Sequence, residues 1–264
     1  MTTPTPAPVL DVVHFVAPNV NPAVPGLYAA TDWQNDPLNR FLHGVEVRGA
    51  NYGGDDASGV WATAWCAPPP LDNEERKEGD RPGILDAFDP ITVWAYDQCD
   101  LTAASRAEVE ERVQQILRLQ EQTMVEREFA VRLLVDAADL GTTPTRDTLK
   151  RAVSYLEGQV AQTNTAGYFH ASAELVALEP DLFIKSGTNR VTPSGHNWII
   201  GGGYVEGLED TIVVTSQPFG WRDAPTTRTA PAVRDNIYAA VAERSVNIGY
   251  EAVIAAVTIA PVTP

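Results

Sequence analysis

The sequence predicts an α+β protein, and three observations carry that prediction. Segments 44–52 (GVEVRGANY), 60–66 (VWATAWC) and 91–99 (ITVWAYDQC) are rich in β-branched and aromatic residues and alternate with period two, as half-buried strands do. Residues 103–138 carry apolar positions spaced by three and four, the pattern of one long helix. From 145 to 264, helical and strand patterns alternate without an internal repeat.

Residues 1–40 hold Pro4, Pro6, Pro8, Pro18, Pro22, Pro25 and Pro37, with few periodic apolar positions. Proline fixes φ and removes a backbone donor, so this segment reads as an extended arm that needs another surface to lie on. Its first ten residues read equally well as a disordered tail. Residues 41–99 form the β excursion. Between its second and third strands runs PPPLDNEERKEGDRPG (68–83), a charged, proline-rich stretch that has little to bury and reads as a long exposed loop.

The helix has a readable start. Ser105 and Glu108 fit an S-x-x-E capping box, and Glu108, Glu110 and Glu111 would place acid in the first turn, where the helix dipole favours it. Val109, Val113, Ile116, Leu117 and Met124 mark the apolar face, while Glu110, Glu111, Arg118 and Glu121 occupy others. Continuous to Ala138, the helix would be about 50 Å long, more than a small globular core requires.

Further on, 146–162 suits a helix, 167–172 a strand, and 173–180 a helix ended by Pro180. The run NRVTPSGHNWIIGGGY reads as two strands joined at Pro193, Ser194 and Gly195, and 211–219 supplies another. The alanine-rich 231–246 reads as a helix, and 250–261 as a closing strand.

Composition removes several classes of function. A chain of 264 residues with 44% apolar residues can fill one large core or two modest ones. Its 35 acidic and 19 basic residues give a formal charge of −16, which repels nucleic-acid phosphates and anionic lipid and argues against a DNA-reading domain. No apolar run approaches the roughly 20 residues that span a bilayer, and the first residues lack the basic and apolar regions of a signal peptide. Cys66 and Cys99 match no CxxC spacing and read as free, partly buried thiols, although spacing alone leaves a bridge between them open.

Chemistry is hard to find by motif. Gly201, Gly202 and Gly203 follow an apolar strand, as in a phosphate-binding turn, but no lysine follows and the local charge is acidic. A backbone role, where close packing excludes side chains, is the better reading. His14, His43, His170 and His196 are isolated, and neither Ser172 nor Ser194 sits in a G-x-S-x-G elbow. No catalytic, cofactor-binding or metal-ligating residue stands out, although a triad assembled from dispersed residues leaves no sequence signature.

The order of elements carries more. SRAEVEERVQQILRLQEQTMVEREF resembles a spine helix. GYFHASAELVAL followed by NRVTPSGHNWIIGGGY resembles the axial-domain strand, helix and hairpin of actinobacterial phage head proteins, and RDNIYAAVAERSVNIGYEAVIAAVTI resembles their closing helix and strand. Over residues 40–262 the chain therefore resembles the Hong Kong 97-type major capsid proteins of tailed phages, a fold that also builds encapsulin shells.

That resemblance implies an N-terminal arm (1–40), an extended β loop over a neighbour (41–99), a peripheral domain (100–144 with 225–264) and an axial domain (145–224). It also implies a non-enzymatic protein without cofactors that self-assembles as pentamers and hexamers into the icosahedral shell of a virion. Scaffolding, portal and decoration proteins are its implied partners, with packaged DNA touched only non-specifically and no membrane involved. An acidic inner wall would let the genome slide during filling. Some family members join a loop lysine to a peripheral-domain asparagine; Lys77 with Asn236 or Asn247 would be the matching groups, but an ordinary solvated lysine is the better reading. The chain starts directly at the arm, without the charged helical region of fused scaffolds, which implies a separate scaffold or unaided assembly. Trp61, Trp65, Trp94 and Lys77 are the expected subunit-interface residues, with 71–83 contacting a neighbour or accessory protein; the tryptophans fit a local hairpin core equally well. A head-tail connector ring and an α/β enzyme with a dispersed active site are the rival readings.

Overall fold

The computed structural model describes residues 15–23, 25–54, 56–61, 66 and 77–260. In chain order its elements are α1 (Leu27–Ala30), β1 (Asp32–Trp33), β2 (Ile91–Cys99), α2 (Ala103–Asp139), β3 (Thr145–Arg146), α3 (Leu149–Thr163), β4 (Tyr168–Ser172) and α4 (Leu175–Leu178). There follow β5 (Ile184–Ser186), β6 (Asn189–Val191), β7 (Asn197–Gly201), α5 (Tyr204–Gly207), β8 (Thr211–Thr215) and β9 (Phe219–Arg222). Three strands, β10 (Thr226–Ala232), β11 (Ile237–Gly249) and β12 (Val253–Ile259), complete the chain.

Helix α2 organises the rest. Its 37 residues make it about 55 Å long. It begins where Thr102, in extended backbone, accepts the Ser105 N–H on its hydroxyl at 3.3 Å, so Thr102 rather than Ser105 is the cap. The expected box lies one turn too late, and the true first turn holds no acidic residue. Val109, Val113, Leu117, Val125, Phe129, Leu133 and Ala137 are buried along one stripe, mostly four residues apart.

That stripe packs on a five-stranded sheet in which β9 and β10 flank one edge of β11 and β2 the other, with β1 beyond β9. Strand β11 corrects the helix expected over 231–246. It runs beside β2 from Tyr238↔Cys99 to Val246↔Ile91 and beside β10 from Thr226↔Glu243 to Ala232↔Ile237. Tyr238, Ala240 and Ala242 point into the core, and small alanine side chains let the sheet lie close to the helix. Alanine-rich composition favours a helix, and since both faces of YAAVA are apolar, the two-residue alternation shows only as burial.

The second sheet has the order β3-β12-β8-β4-β7-β6-β5. Helix α3 covers it, burying Leu149, Val153, Leu156 and Val160 with Phe169, Trp198, Ile212, Val214 and Val257. The closing strand is as expected, and it lies in this sheet beside β8. The helix expected over 173–180 shrinks to the single turn α4, followed by a 3-10 turn at Pro180–Leu182.

In the β excursion the third predicted strand forms as read and the first does not. Residues 44–52 make one bridge, Val45↔Phe88, and the chain then turns to Glu251, whose carboxylate accepts the Asn51 N–H at 2.8 Å. A side chain thus takes the hydrogen bond that a strand partner would have supplied. Among the described residues Val60 and Trp61 belong to no strand; 62–65, with Trp65, lie outside the described residues, as do 1–14 and 67–76, the first part of the expected contact segment 71–83.

The arm finds its surface within the same chain. The Val20 carbonyl accepts from Gln115 Nε2 at 2.7 Å, Asn21 Oδ1 accepts from Arg118 at 2.7 Å, and Asn19 donates to Glu111 at 2.8 Å. Leu27 then enters the core completely, so 19–21 and Leu27 are fastened along α2.

Candidate assembly surfaces

Two sets of residues bear on function: those left exposed on the sheet faces, and those that hold the parts together. On β2, Val93 and Ala95 face α2, which turns Thr92, Trp94, Tyr96 and Gln98 to the opposite side by the strand's two-residue period. Trp94 is 60% exposed and Tyr96 45%. They stand beside Glu243 and Val241 of β11, and Arg228 of β10 pairs with Glu243, so one sheet face presents aromatic and aliphatic groups within a polar margin. Trp94 is therefore an exposed sheet residue and not part of a hairpin core. Tyr96 completes the pair, and its position two residues on was a legible signal the sequence reading passed over.

Trp61 is 43% exposed, and the Lys77 ammonium lies 4.6 Å from its ring centroid, a cation–π contact. Asn247, one of the two lysine acceptors considered, is fully buried and donates to the carbonyls of Phe41 (3.3 Å) and Phe88 (2.7 Å). Its amide fastens 41–45 to 88 and is closed to a neighbour's lysine. Asn236 occupies the left-handed turn between β10 and β11. Cys66 and Cys99 are free but exposed, where partial burial was expected.

The residues that join the parts are different ones. Glu126, in the middle of α2, is completely buried; its carboxylate accepts the Leu27 N–H and the Gly203 N–H, each at 3.0 Å. Arm, spine and the turn after β7 therefore meet on one carboxylate. The three glycines do surround an anion, but an internal one. A Cβ at Gly201 would sit 2.7 Å from the Glu126 carboxyl carbon, and one at Gly203 would sit 2.2 Å from the Thr123 carbonyl oxygen. The backbone role is as expected, and its reason is the approach of the turn to α2. Burial pushes the Glu126 carboxyl above its ordinary value, opposed by the N–H groups it accepts. Sequence could not show this, because Glu126 looks like any other acid on a helix with many.

A second buried junction lies one helical stretch later. Asp136 accepts Arg132 Nε at 2.7 and 2.8 Å and the Tyr250 hydroxyl at 2.7 Å, while Arg132 reaches the carbonyls of Asp86 and Ala87. It ties α2 to the end of the loop and to the turn before β12.

His170 is also internal. It is fully buried between the Tyr204 hydroxyl and Thr215 Oγ1, both at 2.9 Å, and desolvation lowers its pKa from 6.5 to about 3. The unfolded chain then binds a proton that the folded one refuses, so stability falls as pH drops from 6.5 towards 3, by up to about 4 kcal/mol. Glu126 acts oppositely and softens the fall. Chemical denaturation of wild type and His170→Gln across that range should show the wild-type excess stability shrinking with acid; parallel curves would contradict it.

Ser172 is buried and accepts the Glu174 N–H at 3.3 Å, and His196 stacks on Phe169, so neither stands in a nucleophile–base pair with the other. Among the described residues no group of three or more His, Cys, Asp or Glu side chains is placed to hold a metal ion.

No family model matches this sequence. No curated protein matches it either. Among solved structures the chain is similar to that of Microbacterium phage Oxtober96, with a TM-score of 0.55 and 10% identity, covering 94% of this chain and 96% of that one. Lower TM-scores relate it to the capsid of an empty GTA particle (0.49, 9% identity, 94% of each chain) and to Mycobacterium phage Che8 (0.47, 9% identity, 94% and 97%). With its long helix and two sheets, the chain shares the fold of that Microbacterium phage chain, the Hong Kong 97-type fold.

Proposed function

We propose that this chain is the major capsid protein of a tailed phage and self-assembles into the icosahedral head that encloses the genome. The observation that carries the proposal is the Hong Kong 97-type fold running nearly the whole length of the chain. In this reading 1–40 is the arm, 41–99 the loop that crosses to a neighbour, 100–144 with 225–264 the peripheral domain, and 145–224 the axial domain. The role is structural, without a catalytic step or cofactor. Subunits meet as pentamers and hexamers, with scaffolding, portal and decoration proteins as further partners, and the protein resides in the virion after assembly in the host cytoplasm.

Physical chemistry supports the reading. A long loop with little apolar content cannot offset its own ordering entropy and gains order by packing on another copy. The Trp94 and Tyr96 face supplies the large aromatic contacts that dominate interfaces. Trp94→Ala should leave subunit folding within about 0.5 kcal/mol, because the side chain is mostly solvated. It should raise the concentration needed for assembly about tenfold or more, equivalent to roughly 1.4 kcal/mol per contact. Sedimentation of wild type and variant over a concentration series checks both; equal loss of folding and assembly would count against an interface role.

A further inference from the structure

Two adjoining cavities, about 600 and 400 Å³, lie beside 22–30 and share Ala23, Ala173 and Ile200 in their walls. The charged side chains lining the smaller are Arg118, Arg222, Arg244 and Glu121, and those lining the larger are Lys185 and Arg190. Both linings are basic, in a chain whose acids outnumber its bases 35 to 19. The one acid is already engaged: Glu121 accepts the Tyr28 hydroxyl at 2.7 Å and Arg244 Nη1 at 3.2 Å. Arg118 is engaged as well, by the Val20 carbonyl and Asn21 Oδ1. The other two guanidinium groups keep free donors. Arg222 stacks over the Trp33 ring, 4.2 Å from its centroid, and stands 5.6 Å from that of Tyr28, yet it pairs with no carboxylate among the described residues. The adjacent Asp223 accepts the Ser245 N–H instead. Arg244 has a buried Nε that meets no acceptor among the described residues. A fixed cation without a counter-ion and a buried donor without an acceptor, on the wall of one cavity, are what an anion site presents before its ligand arrives.

We propose that the smaller cavity binds a phosphate group, held by Arg222 and Arg244. Planar guanidinium groups match the oxygens of phosphate with paired N–H donors, and such charge-assisted bonds are about twice as strong as neutral ones. Three arginines against one glutamate leave the lining with a surplus of two positive charges. A phosphate monoester brings about 1.5–2 negative charges at neutral pH and neutralises that surplus, where a single carboxylate does not. The larger cavity opens beside the site, so a phosphomonoester or the backbone of a nucleic acid reaches it as readily as free phosphate does. The chain's −16 charge repels such ligands at long range, but physiological salt screens it beyond about 8 Å, and at the cavity its own guanidinium groups decide. The walls come from 22–28, α2, β9 and β11, so a bound phosphate fastens the four together.

The test is a calorimetric titration of inorganic phosphate into the whole chain at neutral pH, with chloride holding the ionic strength constant. Saturable one-to-one binding is expected, weakened about tenfold or more by Arg222→Gln. Arg222 is exposed, so the substitution leaves the core intact. Arg228→Gln, which removes an equal charge from β10 at its pair with Glu243 outside the cavity, should leave the affinity unchanged. No saturable binding, or equal weakening by both substitutions, would overturn the proposal. Hydrogen exchange of the wild-type chain needs no variant: phosphate should slow exchange at 22–28 and in β9, and unaltered exchange there would overturn the proposal as well. A short DNA duplex then identifies the source of the phosphate. A duplex that competes with phosphate on wild type and loses its binding in Arg222→Gln makes the nucleic-acid backbone the ligand; a duplex that leaves bound phosphate in place makes it a free phosphate or phosphomonoester. Either result upholds the site.

Discussion

The Gly203→Val chain is expected to lose its cooperative thermal transition. A Cβ at this position meets the Thr123 carbonyl oxygen at 2.2 Å and the Arg127 nitrogen at 2.7 Å, both backbone atoms in the middle of α2. A flexible side chain could swing away, but these atoms can move only by breaking the helix ladder. Overpacking ordinarily costs about 1–3 kcal/mol, and more where the neighbour cannot yield. Against a total margin of about 5–15 kcal/mol, a clash with unyielding backbone that exceeds about 5 kcal/mol leaves little folded protein. Gly202→Ala is the control one residue away: its nearest neighbour is 3.6 Å off, and stability should change by less than about 0.5 kcal/mol. Thermal circular dichroism separates the two, and equal tolerance at both positions would contradict the close approach of turn and spine.

Glu126→Ala should cost about 2–5 kcal/mol and loosen the arm first. Removing the carboxylate leaves the buried N–H groups of Leu27 and Gly203 without acceptors, at roughly 1–3 kcal/mol each, less the desolvation that the charge itself suffers. Hydrogen exchange at Leu27 and around 203 should quicken by more than exchange in β4 or β8. Glu126→Gln keeps one acceptor and should fall between. It also removes a proton site: because burial raises the folded carboxyl above 4.5, wild type gains stability relative to Glu126→Gln as pH falls towards 4.5 and no more below it. A constant difference between the two across acid pH would show that the carboxyl is not desolvated as the structure implies.

Much of the frame was legible because it depends on periodicity. The long helix follows from Val109, Val113 and Leu117, and β2 from the alternation in ITVWAYDQC, since one face of each must be buried in the same core. What was not legible depends on pairing. Strand β11 is apolar on both faces, so its helix-like composition hid a strand that β2 and β10 impose from either side. Residues 44–52 look like a strand, yet Glu251, some 200 residues away in sequence, supplies the hydrogen bond that ends it. The junctions at Glu126 and Asp136 were invisible for the same reason, as a buried carboxylate is identified by its distant donors.

Exposed residues divide in the same way. Trp94 and Tyr96 could be read because strand period two puts them on the face away from Val93 and Ala95. The basic lining of the two adjoining cavities beside 22–30 could not, because Arg118, Lys185, Arg222 and Arg244 come from four separate segments that only the fold brings near one another. In a chain this acidic, a local reversal of charge shows only in space.

Whether copies of this chain close into an icosahedral shell, as proposed, is decided by electron cryomicroscopy of particles from the purified chain. Closed particles are expected in which the subunit fits repeatedly as pentamers and hexamers, with 71–83 reaching a neighbouring copy. Open rings of fixed number would place the chain in a connector, and a homogeneous monomer at high concentration would contradict assembly altogether.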